Sequence, residues 1–339
     1  MLQLKNTTPL AAALAVFPDQ NGVDTVFVVV KGTFALRPRL SVAEALPVAL
    51  LDEYFADPET SSLRYSSEMH IGKPGTDVVL VGQAWAPGGS REVDATTVML
   101  AVGGRRKVIR VFGDRTWRSG GSFTRPEPFR SIPLVFERAF GGTHLVSERG
   151  PVLSEERNPV GIGFRGQRSK TEMVGQRLPN LEDASQLIER IGDQRSPACF
   201  GFVAPAWLPR RTFAGTYDGT WSRKRAPYLP TDFNRRFLHT AAPELTFDRP
   251  LSGGERVEAL GVSEQGPLRF DLPRCRPSVA VNVDGAIQRP AFQLETILFE
   301  PDDNRVCVSW RASLLCDKKV LKVKEVEIDV QGLDLPGTS

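Results

Sequence analysis

Glycine and proline punctuation limits most strongly what this chain can become. Thirty Gly and 26 Pro are spread through 339 residues. About a sixth of the chain therefore frees or fixes the backbone, which cuts it into short segments joined by turns. That spacing excludes a bundle of long helices and favours β structure with ordered loops. The apolar content of 41% and charged content of 24% are ordinary globular values. A folded chain of this length buries roughly three quarters of its extended surface, so its core needs no disulfide or metal.

The first section, to about residue 135, reads as strands. Val26-Phe27-Val28-Val29-Val30-Lys31-Gly32-Thr33-Phe34 is β-branched and aromatic, and residues 78–85 form a second such run. Residues 98–102 and 107–112 flank Gly103-Gly104, a pair able to adopt the positive φ of a tight hairpin. The final section returns to this pattern. Residues 278–283 meet Asp284-Gly285, and Pro301-Asp302-Asp303-Asn304 joins 297–299 to 306–312. Val326, Ile328 and Val330 alternate with Glu327 and Asp329, as in a half-buried strand.

Between about 136 and 250, Pro, Gly, Arg and aromatic residues alternate with little periodicity. Residues 183–191 are predicted as a short helix, with Leu187, Ile188 and Ile191 on one face and Gly192 as its stop. Trp207, Trp221, Phe213, Tyr217, Phe233 and Phe237 argue against disorder here. The predicted fold is mainly β: two strand-rich, sandwich-like lobes, 1–135 and 251–331, with an ordered loop-rich centre, 136–250, and one short helix. Residues 1–331 are expected to form one integrated domain, followed by a frayed tail, 332–339.

The balance of charge narrows the function. With 43 basic and 40 acidic residues the net charge is +3, and the excess is spread along the chain, so no nucleic-acid partner is expected. The four cysteines lie far apart without a C-x-x-C and read as reduced, packed thiols. The apolar run 10–17 is eight residues long, too short to span a bilayer. Pro18-Asp19-Gln20-Asn21 follows where small residues would mark signal-peptide cleavage. The run reads as the first strand, and the expectation is a cytoplasmic protein without membrane insertion.

Motifs for chemistry are scarce. Gly161-Ile162-Gly163-Phe164-Arg165-Gly166 spells G-x-G-x-x-G. It lacks the buried strand before it and the helix after it that a dinucleotide site requires. His70, His144 and His239 have no metal-ligand spacing to one another or to cysteine. No G-x-S-x-G elbow is present. No catalytic residue, cofactor or metal is therefore predicted. Carboxylates beside arginines recur: Asp114-Arg115, Glu137-Arg138, and Asp232 near Arg235-Arg236. Such pairs more often brace loops than perform acid–base work, because a guanidinium gives several hydrogen bonds to carboxylates and carbonyls.

A series of phrases in order along the chain resembles one bacterial family. They begin with Lys31-Gly32-Thr33-Phe34 and Lys73-Pro74-Gly75-Thr76-Asp77-Val78, followed by Gly113-Asp114-Arg115-Thr116-Trp117. Next come Pro133-Leu134-Val135-Phe136-Glu137-Arg138-Ala139-Phe140-Gly141-Gly142, Asn158-Pro159-Val160-Gly161-Ile162-Gly163 and Leu178-Pro179-Asn180-Leu181-Glu182. Trp207-Leu208-Pro209-Arg210-Arg211, Gly215-Thr216-Tyr217-Asp218-Gly219-Thr220-Trp221 and Pro230-Thr231-Asp232-Phe233 complete the set. The family is a domain long catalogued as of unknown function and associated with type VI secretion. The resemblance implies a non-enzymatic adaptor or chaperone that binds a toxin effector and promotes its loading onto a VgrG-type spike protein. Many members of that family carry a pentapeptide-repeat extension, and this sequence ends without one.

Asp114, Arg115, Trp117, Glu137, Arg138, Phe140, Asn158, Trp207, Arg210, Tyr217, Trp221 and Asp232 are the candidates for partner binding or loop bracing. Trp and Arg are enriched at interface hot spots, and aromatics also dominate cores. The competing reading is a carboxylate-dependent hydrolase or carbohydrate-active enzyme using Asp114, Glu137 and Asp232. It requires two of those carboxylates to converge in a cleft. A structural component of the secretion machine is the third.

Overall fold

In the computed structural model, which describes residues 2–88 and 91–335, the apolar run of the first section becomes the strand Asp24–Ala35. Every residue from Thr25 to Phe34 is buried. A strand covered on both faces needs a continuous β-branched and aromatic run, and this segment supplies one. It pairs antiparallel with Ala11–Pro18 on one side and with Arg305–Leu315 on the other. Gln293–Glu300 follows antiparallel, and Asp77–Leu80 closes the far edge in parallel. Ser41–Val42 caps one end of the central strand.

A second sheet is ordered Leu181–Asp183, Arg105–Phe112, Ala95–Val102, Arg256–Leu260, Leu268–Asp271, antiparallel throughout. Its hairpin turns at Gly103 and Gly104, with φ of 53° and 85°, the left-handed pair that matches strand twist in a two-residue turn. A third sheet holds Gln3–Asn6, Val323–Asp334, Arg274–Val283 and Ala286–Gln288. Its Asp284-Gly285 turn has φ of 57° and 89°. Val326 and Ile328 are buried while Glu327 and Asp329 are exposed, as the alternation predicts. One contiguous core joins the three sheets through Val30, Leu80, Leu100, Ile109, Val281 and Val306.

The mainly β prediction is borne out, with several corrections of detail. The strand-rich ends interleave: both of the larger sheets pair strands from before residue 135 with strands from after 250. The run 10–17 forms the second strand, Ala11–Pro18, because Gln3–Asn6 precedes it and pairs with Val323–Asp334. The run 78–85 splits at Val81-Gly82 into Asp77–Leu80 and Gln83–Trp85, and the latter pairs with Ser131–Pro133 instead.

The helix expected at 183–191 does not form. Carboxylates take the amides that a helix would have used: Asp183 accepts from Ser185 N–H, Glu182 from Ile188 N–H, and Asp193 from Glu189 and Arg190 N–H. Side-chain competition of this kind favours turns over helix. The α-helix lies at Gly219–Lys224 instead, capped by Asp218 on Trp221 N–H. The last strand runs on to Asp334, past the predicted start of the tail, and residues 336–339 lie outside the described residues. Among the described residues no helix is long and apolar enough to cross a membrane.

Because the central strand depends on Arg305–Leu315, a chain ending at residue 250 is expected to lack the cooperative β fold of the full chain. Far-UV circular dichroism and urea unfolding check this. A sigmoidal transition in the truncated chain would show that the first sections fold alone.

Candidate functional site

Three of the family-like phrases, those carrying Asp114, Arg138 and Asn180, meet in one brace. Asn180 is its hub: its Nδ2 donates to Phe112 O at 3.0 Å and Asp114 Oδ1 at 2.8 Å, and its Oδ1 accepts from Arg138 Nη1 at 3.0 Å. Burial raises the Asp114 carboxyl, but Asn180, Arg177 and Arg138 outweigh it and hold the group below its ordinary value. Arg115 is buried against Glu182 at 2.5 Å, gives Pro179 O a bond of 2.8 Å and stacks 3.9 Å from the Phe112 ring centroid. Trp117 and Phe140 form a small second core with Met173, Leu178 and Ile188.

Asn158 is fully buried and donates to Phe136 O and Phe140 O at 2.8 and 3.0 Å. Its closeness explains two of the glycines: a Cβ on Gly141 would lie 2.1 Å from Asn158 O, and one on Gly161 would lie 2.3 Å from Asn158 Nδ2. The G-x-G-x-x-G segment thus forms a short parallel ladder, Ile162–Gly163 with Phe140–Gly141, followed by turns. Glu137 accepts from Ser62 N–H at 2.6 Å and Ser62 Oγ at 2.8 Å. Trp207 packs edge-on against Phe136 at 5.2 Å.

Asp232 lies apart, exposed, where it accepts from the Thr216 amide and hydroxyl; those bonds hold its carboxyl below the ordinary value. Tyr217 is exposed and meets Trp221 edge-on at 4.8 Å. The Trp221 indole donates to Tyr228 O at 2.8 Å. Among the described residues, Asp114, Glu137 and Asp232 therefore have no hydrogen-bond or ion-pair partner in common. Among the described residues no group of three or more His, Cys, Asp or Glu side chains is placed to hold a metal ion.

A buried ionic chain crosses the central sheet and involves residues that the sequence reading did not single out as a site. Lys31 pairs with Glu68 at 3.0 Å. Glu68 also accepts from Ser309 Oγ, and its carbonyl accepts from Arg311. Arg311 Nε meets Glu295 at 2.8 Å, and Glu295 accepts from Lys73 N–H at 2.7 Å. Lys73 Nζ lies 2.7 Å from Asp77 Oδ2, and His239 Nδ1 lies 2.7 Å from Asp77 Oδ1. Three ion pairs, Lys31–Glu68, Arg311–Glu295 and Lys73–Asp77, are thus joined through the Glu68 carbonyl and the Lys73 amide. Register explains the alignment: Lys31 sits opposite Ser309, and the two-residue period places Arg311 on the same face. The available signal was polar residues inside strand-like apolar runs, together with Lys31, Lys73 and Asp77 in the family-like phrases.

Charged groups this deep remain ionised only when paired. Burial pushes the Asp77 carboxyl up, yet Lys73 and His239 outweigh it and hold it well below its ordinary value. Burial, with Arg311 and Lys73 close by, keeps the His70 ring well below its ordinary value of 6.5.

The profile of a bacterial family, described as "Uncharacterized protein conserved in bacteria (DUF2169)", matches residues 21–311. The chain belongs to this family. The matched span contains the brace and the whole ionic chain, whereas Gln3–Asn6, Ala11–Pro18 and Val323–Asp334 lie outside it. Searches among curated proteins and among solved structures return no match.

Two outcomes are expected from the ionic chain. Asp77→Asn strips Lys73 of its carboxylate and is expected to cost about 3–5 kcal/mol by urea unfolding, as for a buried pair losing one member. A loss within error of zero would refute the assigned role. His70 and Asp77 both bind protons more readily in the unfolded chain, so stability rises with pH. The His70 contribution is complete above its ordinary 6.5 and is lost as pH falls toward its lower folded value. The Asp77 contribution is lost only below 3.8. His70→Asn is expected to flatten the fall in urea midpoint below about pH 6.5; an unchanged slope would count against it.

Proposed function

We propose that this chain is a non-enzymatic adaptor that works in the cytoplasm. It binds a type VI toxin effector as an extended strand and promotes its loading onto a VgrG-type spike. The toxin and the spike come from the sequence resemblance alone. The binding mode rests on one observation. Ala11–Pro18 is an eight-residue strand at the edge of the central sheet, and among the described residues its outer side has no partner. Alternate residues turn their N–H and C=O groups outward, so about four residues offer a ladder to an incoming strand.

Comparison with the other edges supports this reading. Proteins protect exposed edges with charge, proline or shortness. Leu268–Asp271 carries Arg269 and Asp271, Gln3–Asn6 carries Lys5, and Leu181–Asp183 and Ala286–Gln288 have three residues each. Ala-Ala-Ala-Leu-Ala-Val-Phe-Pro carries no charge, and its one proline stands at the end. Phe17 is fixed by stacking on buried Phe27 at 4.4 Å, so the strand is held ready for pairing.

The loop after this strand docks on the aromatic segment of the centre. Gln20 Nε2 donates to Phe233 O at 3.3 Å, and Arg225 Nη2 donates to Gln20 O at 2.8 Å. Exposed Tyr217 and Tyr228 both contact Trp221 beside this junction, with exposed Arg223 and Lys224 on the same helix. Tyrosine and tryptophan here suit an interface hot spot, and the basic helix suits an effector segment with acidic residues beside its docking strand. Asp114, Glu137 and Asp232 bond to different partners, which favours loop bracing over paired acid–base work.

Affinity purification of the tagged chain from its native cell should recover the toxin of a neighbouring gene. Val16→Lys is expected to lower that recovery at least about tenfold, since one lost hot spot is worth that much. Its unfolding midpoint should remain unchanged. Undiminished recovery with Val16→Lys and Tyr217→Ala together would sink the edge-strand mode, and secretion of every toxin after gene deletion would sink the adaptor role.

A further inference from the structure

Arg105, Arg210, Arg236 and His239 line a hollow of about 260 Å³. Its remaining walls include the apolar residues Val203, Pro209, Phe213, Ala241 and Pro243. The sequence reading placed Arg210 among the candidates for binding or bracing, and the structure gives it both opportunities. Its Nε donates to Phe237 O at 2.7 Å and its Nη1 to Val203 O at 2.8 Å. These carbonyls fix the guanidinium without neutralising it. Arg210 is 8% exposed, and among the described residues no carboxylate lies within ion-pair distance of it. A buried cation normally has a counter-charge, because leaving it unpaired is expensive.

The neighbouring cations reinforce this imbalance. Arg236 is exposed, lies 5.8 Å from the Phe213 ring centroid, and among the described residues forms no ion pair. His239 is anchored through Nδ1 to Asp77, which turns its ring into a fixed wall. Arg105 is partly satisfied by Asp248 at 3.4 Å, and that carboxylate, largely exposed, stands at the rim of the same hollow. The Thr246 hydroxyl is occupied by Ala241 O and Ala242 O. Free donor capacity therefore lies with Arg210 and Arg236, which line the hollow beside its apolar wall, with Asp248 at the rim.

We propose that this hollow binds an organic carboxylate, the acid on Arg210 and Arg236 and a short apolar group against Phe213, Pro209 and Ala241. A guanidinium presents paired donors that match a carboxylate. The apolar walls favour an acid with a hydrocarbon body over a bare inorganic anion. The volume is below the ~300–1,000 Å³ of sites for drug-sized ligands, so the occupant is about the size of one amino-acid residue. Such a group is either a free small acid or the C-terminal residue of a polypeptide. The proposal does not depend on the edge-strand reading.

Calorimetric titration of the full chain separates these cases. The probes are N-acetyl-leucine, a hexapeptide ending in leucine with a free carboxylate, the amide of each, and inorganic phosphate. N-acetyl-leucine is expected to bind and its amide not to bind. Peptide binding in addition would assign the site to chain ends, and binding of the small acid alone would assign it to a free acid. Arg236→Gln, at an exposed position, is expected to weaken N-acetyl-leucine about tenfold, the usual effect of losing one charge-assisted bond. Arg210→Lys keeps the charge and is expected to weaken binding as well, with its folding checked by circular dichroism. No heat with either acid, equal binding of the amides, preference for phosphate, or unchanged affinity in Arg236→Gln would each overturn the proposal.

Discussion

The ladder between Asp24–Ala35 and Arg305–Leu315 is the constraint on which the rest depends. It pairs the central strand along all eleven residues of its late partner, so segments some 270–290 positions apart must meet before either is buried. Gln293–Glu300 then adds to Arg305–Leu315, and Asp77–Leu80 adds to Gln293–Glu300. Each step supplies the edge needed by the next. Closing such long loops costs entropy that grows only slowly with length, and burial of the Val- and Phe-rich strands offsets it.

That ladder also sets the register of the buried charges. A shift of Arg305–Leu315 by one residue would turn Ser309 and Arg311 to the opposite face and take the Arg311 guanidinium from Glu295. The ionic chain contributes less through net attraction than through the cost of every alternative pairing, which would strand a charge in the core. Polar groups inside otherwise apolar strands thereby favour one register. His239 ties this interior to the surface, since it bonds Asp77 on one side and lines the arginine-rich hollow on the other.

The loop-rich centre is held in a different way. Many backbone amides and carbonyls there lie outside its few short ladders, and side chains such as Asn158, Asn180, Arg115 and Glu182 satisfy some of them. Most of the family-like wording goes into this work. The surfaces left over, an uncharged strand edge beside exposed tyrosines and a cation-lined hollow, carry the two functional proposals.

Local chemistry was legible in the sequence. The run 26–34 read as a strand, Gly103-Gly104 and Asp284-Gly285 read as hairpin turns, and an ordered centre followed from its aromatics. Asn180 and Glu182 stood within a quoted phrase, yet their roles were hidden because their partners come from distant segments. The predicted helix at 183–191 failed for a related reason: periodicity registers apolar spacing but not three carboxylates competing for the same amides. Sequence by itself determined strand propensity, turn chemistry and family membership, because these depend on neighbours in the chain. Only tertiary structure decided which strands pair, which charges are buried together and which arginines form no ion pair among the described residues, because each depends on contacts between residues far apart in sequence.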